Sequence, residues 1–242
     1  MDIYEAMGSL RAVRRLKPDP IPDDVMDRVF QAAAWAPTGG NTQPFRIITV
    51  KDRAKMAVFQ EMYSEEWATY TSAMRKGLDQ MPAAQRDSTT KMLKAGDYLA
   101  DHLADTPQLL VFCFNPKMMA ITDSDLGRPS IVGGGSVYTA VQNLMLACRT
   151  EGLGCVLTTL LCLREAEVRT LLEIPENWFT CAHIPIGYPV LKGHGPISRR
   201  SVDKMVYTDP PPTIDGRPRS MSVIAIIFGL KQNTNNCGVS AK

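Results

Sequence analysis

Apolar residues along the chain change their period several times, and each change marks an element. "FRIITV" (45–50) carries β-branched residues at both parities, the pattern of a strand buried on two faces, and "PQLLVFCFN" (107–115) reads as a second buried strand. Before the first of these, Val25, Val29, Phe30, Ala33 and Ala34 recur at helical spacing, with Asp23 or Asp24 as the expected cap and Pro37 with "TGGN" as the stop. From Val137 to about Glu151 the apolar residues cover two sides of a helix: Val137, Val141, Leu144, Met145 and Cys148 on one, Ala140, Leu146 and Ala147 on the other. Such a helix is expected to be buried over much of its circumference, and a subunit interface is one place for it. "GLGCVLTTL" predicts a third strand, "REAEVRTLLEI" an amphipathic helix and "CAHIPIGYP" a fourth strand ended by Gly187 and Pro189.

Two stretches fall outside this alternation. Lys51 to about Asp105 is charged, Met-rich and helical in propensity, with a break at Met81-Pro82, and reads as an inserted or peripheral helical region. Beyond Asp209 a proline run leads into a polar tail around one apolar patch, "VIAIIFGL", which reads as an extra strand or an arm packed on a partner. Strands alternating with helices at irregular spacing point to α/β or α+β and away from a plain doubly wound series.

Composition narrows the function more than the fold. With 45% apolar and 21% charged residues over 242 positions, a folded, water-soluble globular chain is expected. The 27 basic and 25 acidic side chains leave a net charge of +2, too little for a global field toward nucleic acid or membrane surfaces. No stretch approaches the length of a membrane span and the N-terminus has no leader pattern, so a cytoplasmic, reducing compartment fits. The six cysteines form no C-x-x-C pair and lie mostly in apolar runs, where a thiol acts as a small hydrophobe; neither a disulfide framework nor a metal site is expected.

Motifs for P-loop, serine-hydrolase and zinc-protease chemistry are missing, and His102, His183 and His194 share no ligand-like spacing. His183, inside an apolar strand, reads as a hydrogen-bonded structural histidine. "VGGGSV" (132–137) is either a tight turn or a phosphate-cradling helix start, and without G-x-G-x-x-G spacing the turn is the better reading. "RAVRRLK" places Arg11, Arg14, Arg15 and Lys17 within seven positions. At i, i+4 on a helix end or tight turn, Arg11 and Arg15 point one way and form a bidentate anion site; the plain alternative is a solvated basic face. "WAPTGGNTQPF" (35–45) joins helix to strand with Thr38, Asn41 and Gln43 as hydrogen-bonding groups and glycines that admit close backbone approach.

These segments in order, "RAVRR", "APTGGNTQPF", "GGGSVYTAVQNLMLACRTEGLGCVLTTL", "HIPIGYP" and "ISRRSVDKMV", resemble the flavin-dependent nitroreductase family from about residue 4 to 208. The resemblance implies an α+β, nitroreductase-like fold, a central, mostly antiparallel sheet flanked by helices, in a homodimer with FMN at the subunit interface. It implies a domain over 1–208 with a helical lid at about 52–105, and a tail over 209–242. Carried over by position, Arg11 reaches the flavin phosphate and Arg15 the pyrimidine edge. Val13 stands where the family has serine, leaving only a backbone contact. Pro37, Thr38, Gly39, Asn41 and Gln43 form the loop that packs on the flavin from the other subunit, and Arg199 is the second phosphate arginine, followed by Ser201 instead of the usual proline. Leu157, Thr158 and Thr159 lie where the family places its hydrogen-bond donor to flavin N5, with Thr159 as the tuning residue; both threonines equally suit an ordinary strand.

The resemblance extends to the iodotyrosine deiodinase and dehalogenase branch, whose lid clasps an amino-acid zwitterion. Glu66 and Tyr70 stand at i, i+4 as that lid requires, but Ala100 occupies roughly the place of its lysine. Trp67, Tyr63 and Tyr70 would then form a broader lid over an aromatic substrate, with plain core packing as the alternative. The implied activity is an FMN-dependent oxidoreductase that takes hydride from NAD(P)H and reduces a small aromatic electron acceptor, with no metal. The alternatives are reductive dehalogenation or non-catalytic binding of a flavin or phosphorylated ligand.

Overall fold

Six residues of Phe45–Val50 (β1) and seven of Gln108–Phe114 (β2) pair antiparallel in continuous register, from Phe45 opposite Phe114 to Val50 opposite Leu109. The computed structural model describes residues 1–207, with the backbone at 213–214 and 217–218. Phe179–Gly187 (β4) pairs antiparallel on the other side of β2, with a bulge at Phe112/Cys113, and the short Gly154–Cys155 (β3) pairs antiparallel with β4. The resulting order is β1-β2-β4-β3, an all-antiparallel sheet in an α+β fold.

The side-chain period of two along β2 divides the interior. Leu110 and Phe112 face one core with Ala182, Ile184 and Ile186, under the helices Asp23–Ala34 (α2) and Tyr138–Thr150 (α5). Leu109, Val111 and Cys113 face a second core filled by Met56, Phe59, Met62, Tyr63 and Trp67 of Arg53–Lys76 (α3) and by Leu93, Leu99 and Ala100 of Ala83–His102 (α4). Each fully buried Leu, Ile or Phe is worth about 1.5–3 kcal/mol, so these two layers fix the sheet between them. α3 and α4 therefore supply half of one core instead of standing apart from it. Gly96 is required there: a Cβ on it would lie 2.0 Å from the Trp67 ring.

Local signals held in several places. The helical break at Met81-Pro82 is a short 3₁₀ turn before α4, and "VGGGS" is a 3₁₀ turn leading to α5. α5 buries Ala140, Val141, Leu144, Leu146 and Cys148, on both expected sides. Two expectations are corrected. The cap of α2 is Pro22, with Asp23 and Asp24 inside the first turn, where their charge acts on the helix dipole and no side chain caps. The third strand stops after two residues because the chain meets β4 again only through a single bridge, Thr158 to His183, and then turns into a 3₁₀ segment, Leu160–Arg164.

Among the described residues Cys113, Cys148, Cys155, Cys162 and Cys181 are free, and no group of His, Cys, Asp and Glu could hold a metal ion. Burial pushes the thiols of Cys113 and Cys181 up to about 12, so they behave as small apolar groups. No described helix is long and apolar enough to cross a membrane. The chain divides into two compact units, Met1–Ile197 and Ser198–Lys242; in the second, Thr213–Ile214 (β5) pairs with Arg217–Pro218 (β6). The apolar patch "VIAIIFGL" lies outside the described residues.

Candidate cofactor site

The basic run is an extended strip, not a helix end. The Val13 N–H donates to the Cys155 carbonyl (2.9 Å), the Lys17 N–H to Tyr188 (2.7 Å), and the Val190 N–H to the Arg15 carbonyl (3.0 Å). Leu16 bridges to Pro189, and Val13 and Leu16 are buried. Gly154 makes this seat possible, since a Cβ there would lie 2.7 Å from Val13 and 2.8 Å from Leu16. The i, i+4 geometry expected of Arg11 and Arg15 is thus replaced by an extended backbone fixed on both sides. The Val13 N–H is committed to Cys155, so a backbone contact of Val13 with a ligand would fall to its carbonyl.

His194, which sequence reasoning passed over, braces the start of the strip. Its Nε2 lies 2.8 Å from the Leu153 carbonyl, which can only accept, so Nε2 carries the proton. Nδ1 then accepts a long bond from the Arg11 N–H at 3.5 Å. Burial lowers the pKa of this imidazole and keeps it neutral, the form that accepting at Nδ1 requires.

Four arginines elsewhere are neutralised by carboxylates, while Arg46, Arg53, Arg149 and Arg169 donate to backbone carbonyls or a hydroxyl. Arg28 pairs with Asp24 and Glu151, Arg75 with Asp97, Arg128 with Asp123, and Arg164 with Glu65, Glu66 and Glu167. Among the described residues, Arg11, Arg14 and Arg15 have no carboxylate partner. Guanidiniums on a fixed backbone with their donors unused have the chemistry to receive an anion or a flat heteroatom edge.

The strip lies beside the segment that follows β3. Thr158 is buried and exchanges backbone hydrogen bonds with His183 at 3.0 and 2.9 Å, and its hydroxyl accepts a long bond from the Leu160 N–H at 3.4 Å. Leu157 is half-buried, and Thr159 is exposed, which makes it the threonine whose hydroxyl a ligand can reach. The buried Tyr63 phenol, its pKa raised by burial, faces Thr158 and Arg14. His183 departs from expectation: it is 0% exposed, neither ring nitrogen has a partner, and burial lowers its pKa to about 4. It is structural, but not hydrogen-bonded.

The loop at 36–44 is built separately. Gly40, Asn41 and Gln43 all have positive φ (58°, 54° and 49°), an unusual run for two non-glycine residues. The Thr38 hydroxyl accepts from the Gln43 N–H at 3.1 Å, and the Gln43 amide donates to Asn41 Oδ1 at 3.2 Å. The Gly39 N–H donates to Ser136 Oγ (3.0 Å) and the Thr139 hydroxyl to the Pro37 carbonyl (3.2 Å), which docks the loop on the start of α5. A cleft of about 830 Å³ opens there between Pro37, Ile131, Gly134, Tyr138 and Gln142. Ser130 and Ile131 of its lining are tied from behind by Asp123, 2% exposed, whose carboxylate takes bonds from them and from Arg128 and is thereby held at about 2.

The lid residues take different places. The Trp67 indole is buried against Gly96 and donates to Asp97 at 2.8 Å, so it belongs to the core of the α3/α4 pair. Glu66 lies 3.6 Å from Arg164 and Tyr70 is exposed. Arg199, in the second unit, donates to the Ser198 carbonyl at 2.8 Å.

The Nitroreductase family profile matches residues 9–188. The chain is 30% identical over 184 residues to 5,6-dimethylbenzimidazole synthase of Rhodospirillum rubrum, covering 74% of this chain and 78% of the relative. It is 25% identical over 209 residues to iodotyrosine deiodinase 1 of Rattus norvegicus, covering 86% and 69%. Two solved structures share the fold: iodotyrosine deiodinase bound to FMN and 3-iodo-L-tyrosine (22% identity, TM-score 0.62, 83% of this chain and 96% of the other) and NADPH:FMN oxidoreductase from Vibrio harveyi with NAD+ (19%, 0.59, 93% and 82%).

Proposed function

The chain belongs to the nitroreductase family, and from that premise we propose that it is an FMN-dependent oxidoreductase, working as a homodimer, that draws on NAD(P)H to reduce a small aromatic acceptor such as a nitroaromatic or a quinone. The observation that carries this reading is the strip of unpaired guanidiniums, Arg11, Arg14 and Arg15, fixed beside Thr158 and Thr159. FMN offers matching chemistry: a phosphate dianion for Arg11 and a flat heteroatom edge for Arg15. When bound, it would supply hydride-transfer chemistry between a nicotinamide and the acceptor, so the protein needs no triad or metal of its own.

The side chains of this protein then bind, orient and exclude water. A guanidinium beside the pyrimidine edge stabilises negative charge on the reduced ring, and the effect grows where water is kept out. The exposed Thr159 hydroxyl would be the hydrogen-bond donor to N5. The loop Pro37–Gln43 and the cleft at Ile131 and Tyr138 form the second half of the site, contributed by the other protomer. Exposed apolar groups around α5, including Tyr4 (82% exposed) and Trp35 (75%), support such a dimer. A mainly apolar cleft with few directional partners favours loose selectivity among flat acceptors.

Reductive dehalogenation is the second reading, favoured by the deiodinase relative and the exposed Thr159. Against it, Glu66 already faces Arg164 and Ala100 offers no cation for a substrate carboxylate. Colour and anaerobic reduction test both. The purified protein should be yellow and should bleach with NADH or NADPH. A colourless protein that gains no flavin on incubation with FMN would end the flavin reading. A yellow protein that neither nicotinamide bleaches would point to dehalogenation or to binding without turnover.

A further inference from the structure

We propose that Tyr98 of α4 is a positioning residue for the cofactor, holding the Arg15 guanidinium over its ring so that N–H donors are presented to the flavin. The proposal rests on the FMN reading above. The Arg15 Cζ lies 4.3 Å from the centre of the Tyr98 ring, well inside the range of a cation–π contact. Tyr98 and His102 stand one helical turn apart on α4 and stack with ring centres 4.3 Å apart and planes at 30°. His102 is tied in turn to Asp105, Nδ1 to Oδ2 at 2.8 Å. The result is a column from the end of α4 to the strip, closed at one end by a carboxylate and at the other by a guanidinium.

The geometry of the contact carries the inference. All five N–H donors of a guanidinium lie in its plane. A carboxylate partner would use two of them and neutralise the charge; an aromatic ring under the Arg15 Cζ leaves the charge intact. Arg15 is therefore restrained while N–H donors stay available for a flat acceptor such as the pyrimidine edge of a flavin. Its backbone is fixed through the Val190 N–H, so the ring restrains the only part still free to move. This also gives α4 a part in holding the cofactor beyond its packing in the core.

A charge at the pyrimidine edge favours the reduced, negatively charged flavin over the oxidised one, so loosening Arg15 should act on both affinity and potential. Tyr98→Leu is expected to weaken FMN binding about 3- to 10-fold, the scale of a partly desolvated cation–π contact. It should also lower the flavin midpoint potential, by up to about 30 mV if the loss falls tenfold on the reduced form alone. Tyr98→Phe, which keeps the ring, should match the wild type in both. In an Arg15→Ala background Tyr98→Leu should add nothing, because the ring then has no cation to hold. If Tyr98→Leu lowers the melting temperature, the unbranched Tyr98→Met takes its place in the same cycle. A wild type that binds FMN while Tyr98→Leu leaves affinity and potential unchanged, or adds its full effect on top of Arg15→Ala, overturns the proposal. A wild type that binds no FMN overturns the flavin reading and this proposal with it.

Discussion

The strip from Arg11 to Arg15 and the interior of β4 at His183 both hold basic side chains with no carboxylate or hydrogen-bonding partner for the side chain among the described residues, and the consequences are opposite. On the strip the guanidiniums keep their water and their charge; leaving them unpaired costs little and keeps them available to an anion. In β4 the imidazole has lost its water and gained no hydrogen bond, so it stays neutral and its pKa falls to about 4. An unpaired base at the surface is thus a binding resource, and the same group in the core is a pH-dependent weakness. Arg164 shows a third arrangement, a half-buried guanidinium engaged by Glu65, Glu66 and Glu167 and so assigned to structure.

The largest expected effect sharpens the buried side of the comparison. An unfolded His183 titrates near 6.5 and the folded one near 4, so stability is full above pH 6.5 and is lost as the pH falls toward 4. The loss amounts to about 3 kcal/mol. His183→Leu should flatten the melting temperature over that interval, and parallel pH profiles for the two proteins would contradict the assignment. On the exposed side, Arg11→Ala should weaken FMN binding by about 1.5–3 kcal/mol, roughly 10- to 100-fold, with the melting temperature of the flavin-free protein nearly unchanged. Arg164→Ala should do the reverse, lowering the melting temperature by a few degrees while a fluorescence titration finds FMN affinity intact. Smallest, Thr159→Ala should change the flavin midpoint potential by the equivalent of about 1 kcal/mol or less, whereas the same change at the buried Thr158 should act on stability. Equal potentials in the Thr159 variant and the wild type would remove Thr159 from the site.

Much of the fold was legible because its signals are local. The apolar runs of "FRIITV" and "PQLLVFCF", the two apolar sides of Val137–Glu151 and the break at Met81-Pro82 need no knowledge of distant residues, although β1, at the sheet edge, is only partly buried where burial on two faces was expected. The strip was legible in composition but not in shape. Its extended form is imposed by backbone partners at Cys155, Tyr188 and Val190, far along the chain, and these override the helical spacing of Arg11 and Arg15. "VLTTL" has strand propensity throughout but meets β4 through only one bridge, so propensity overstates its length. Trp67 and Tyr63 looked like lid residues because periodicity alone cannot tell an aromatic stripe that faces a substrate from one that faces a core; Gly96 opposite Trp67 decides for the core. Tyr98 and His194 gave no sequence signal, since each acts through a partner more than 80 positions away.

The central claim is that the unpaired arginines of the strip are reserved for FMN. It is tested most directly by titrating FMN into the flavin-free wild type and into an Arg11→Ala, Arg14→Ala, Arg15→Ala triple variant, with thermal melting of both proteins in parallel. The account predicts saturable FMN binding by the wild type, its loss in the variant, and closely similar melting temperatures without flavin. FMN affinity retained in a folded triple variant would contradict it.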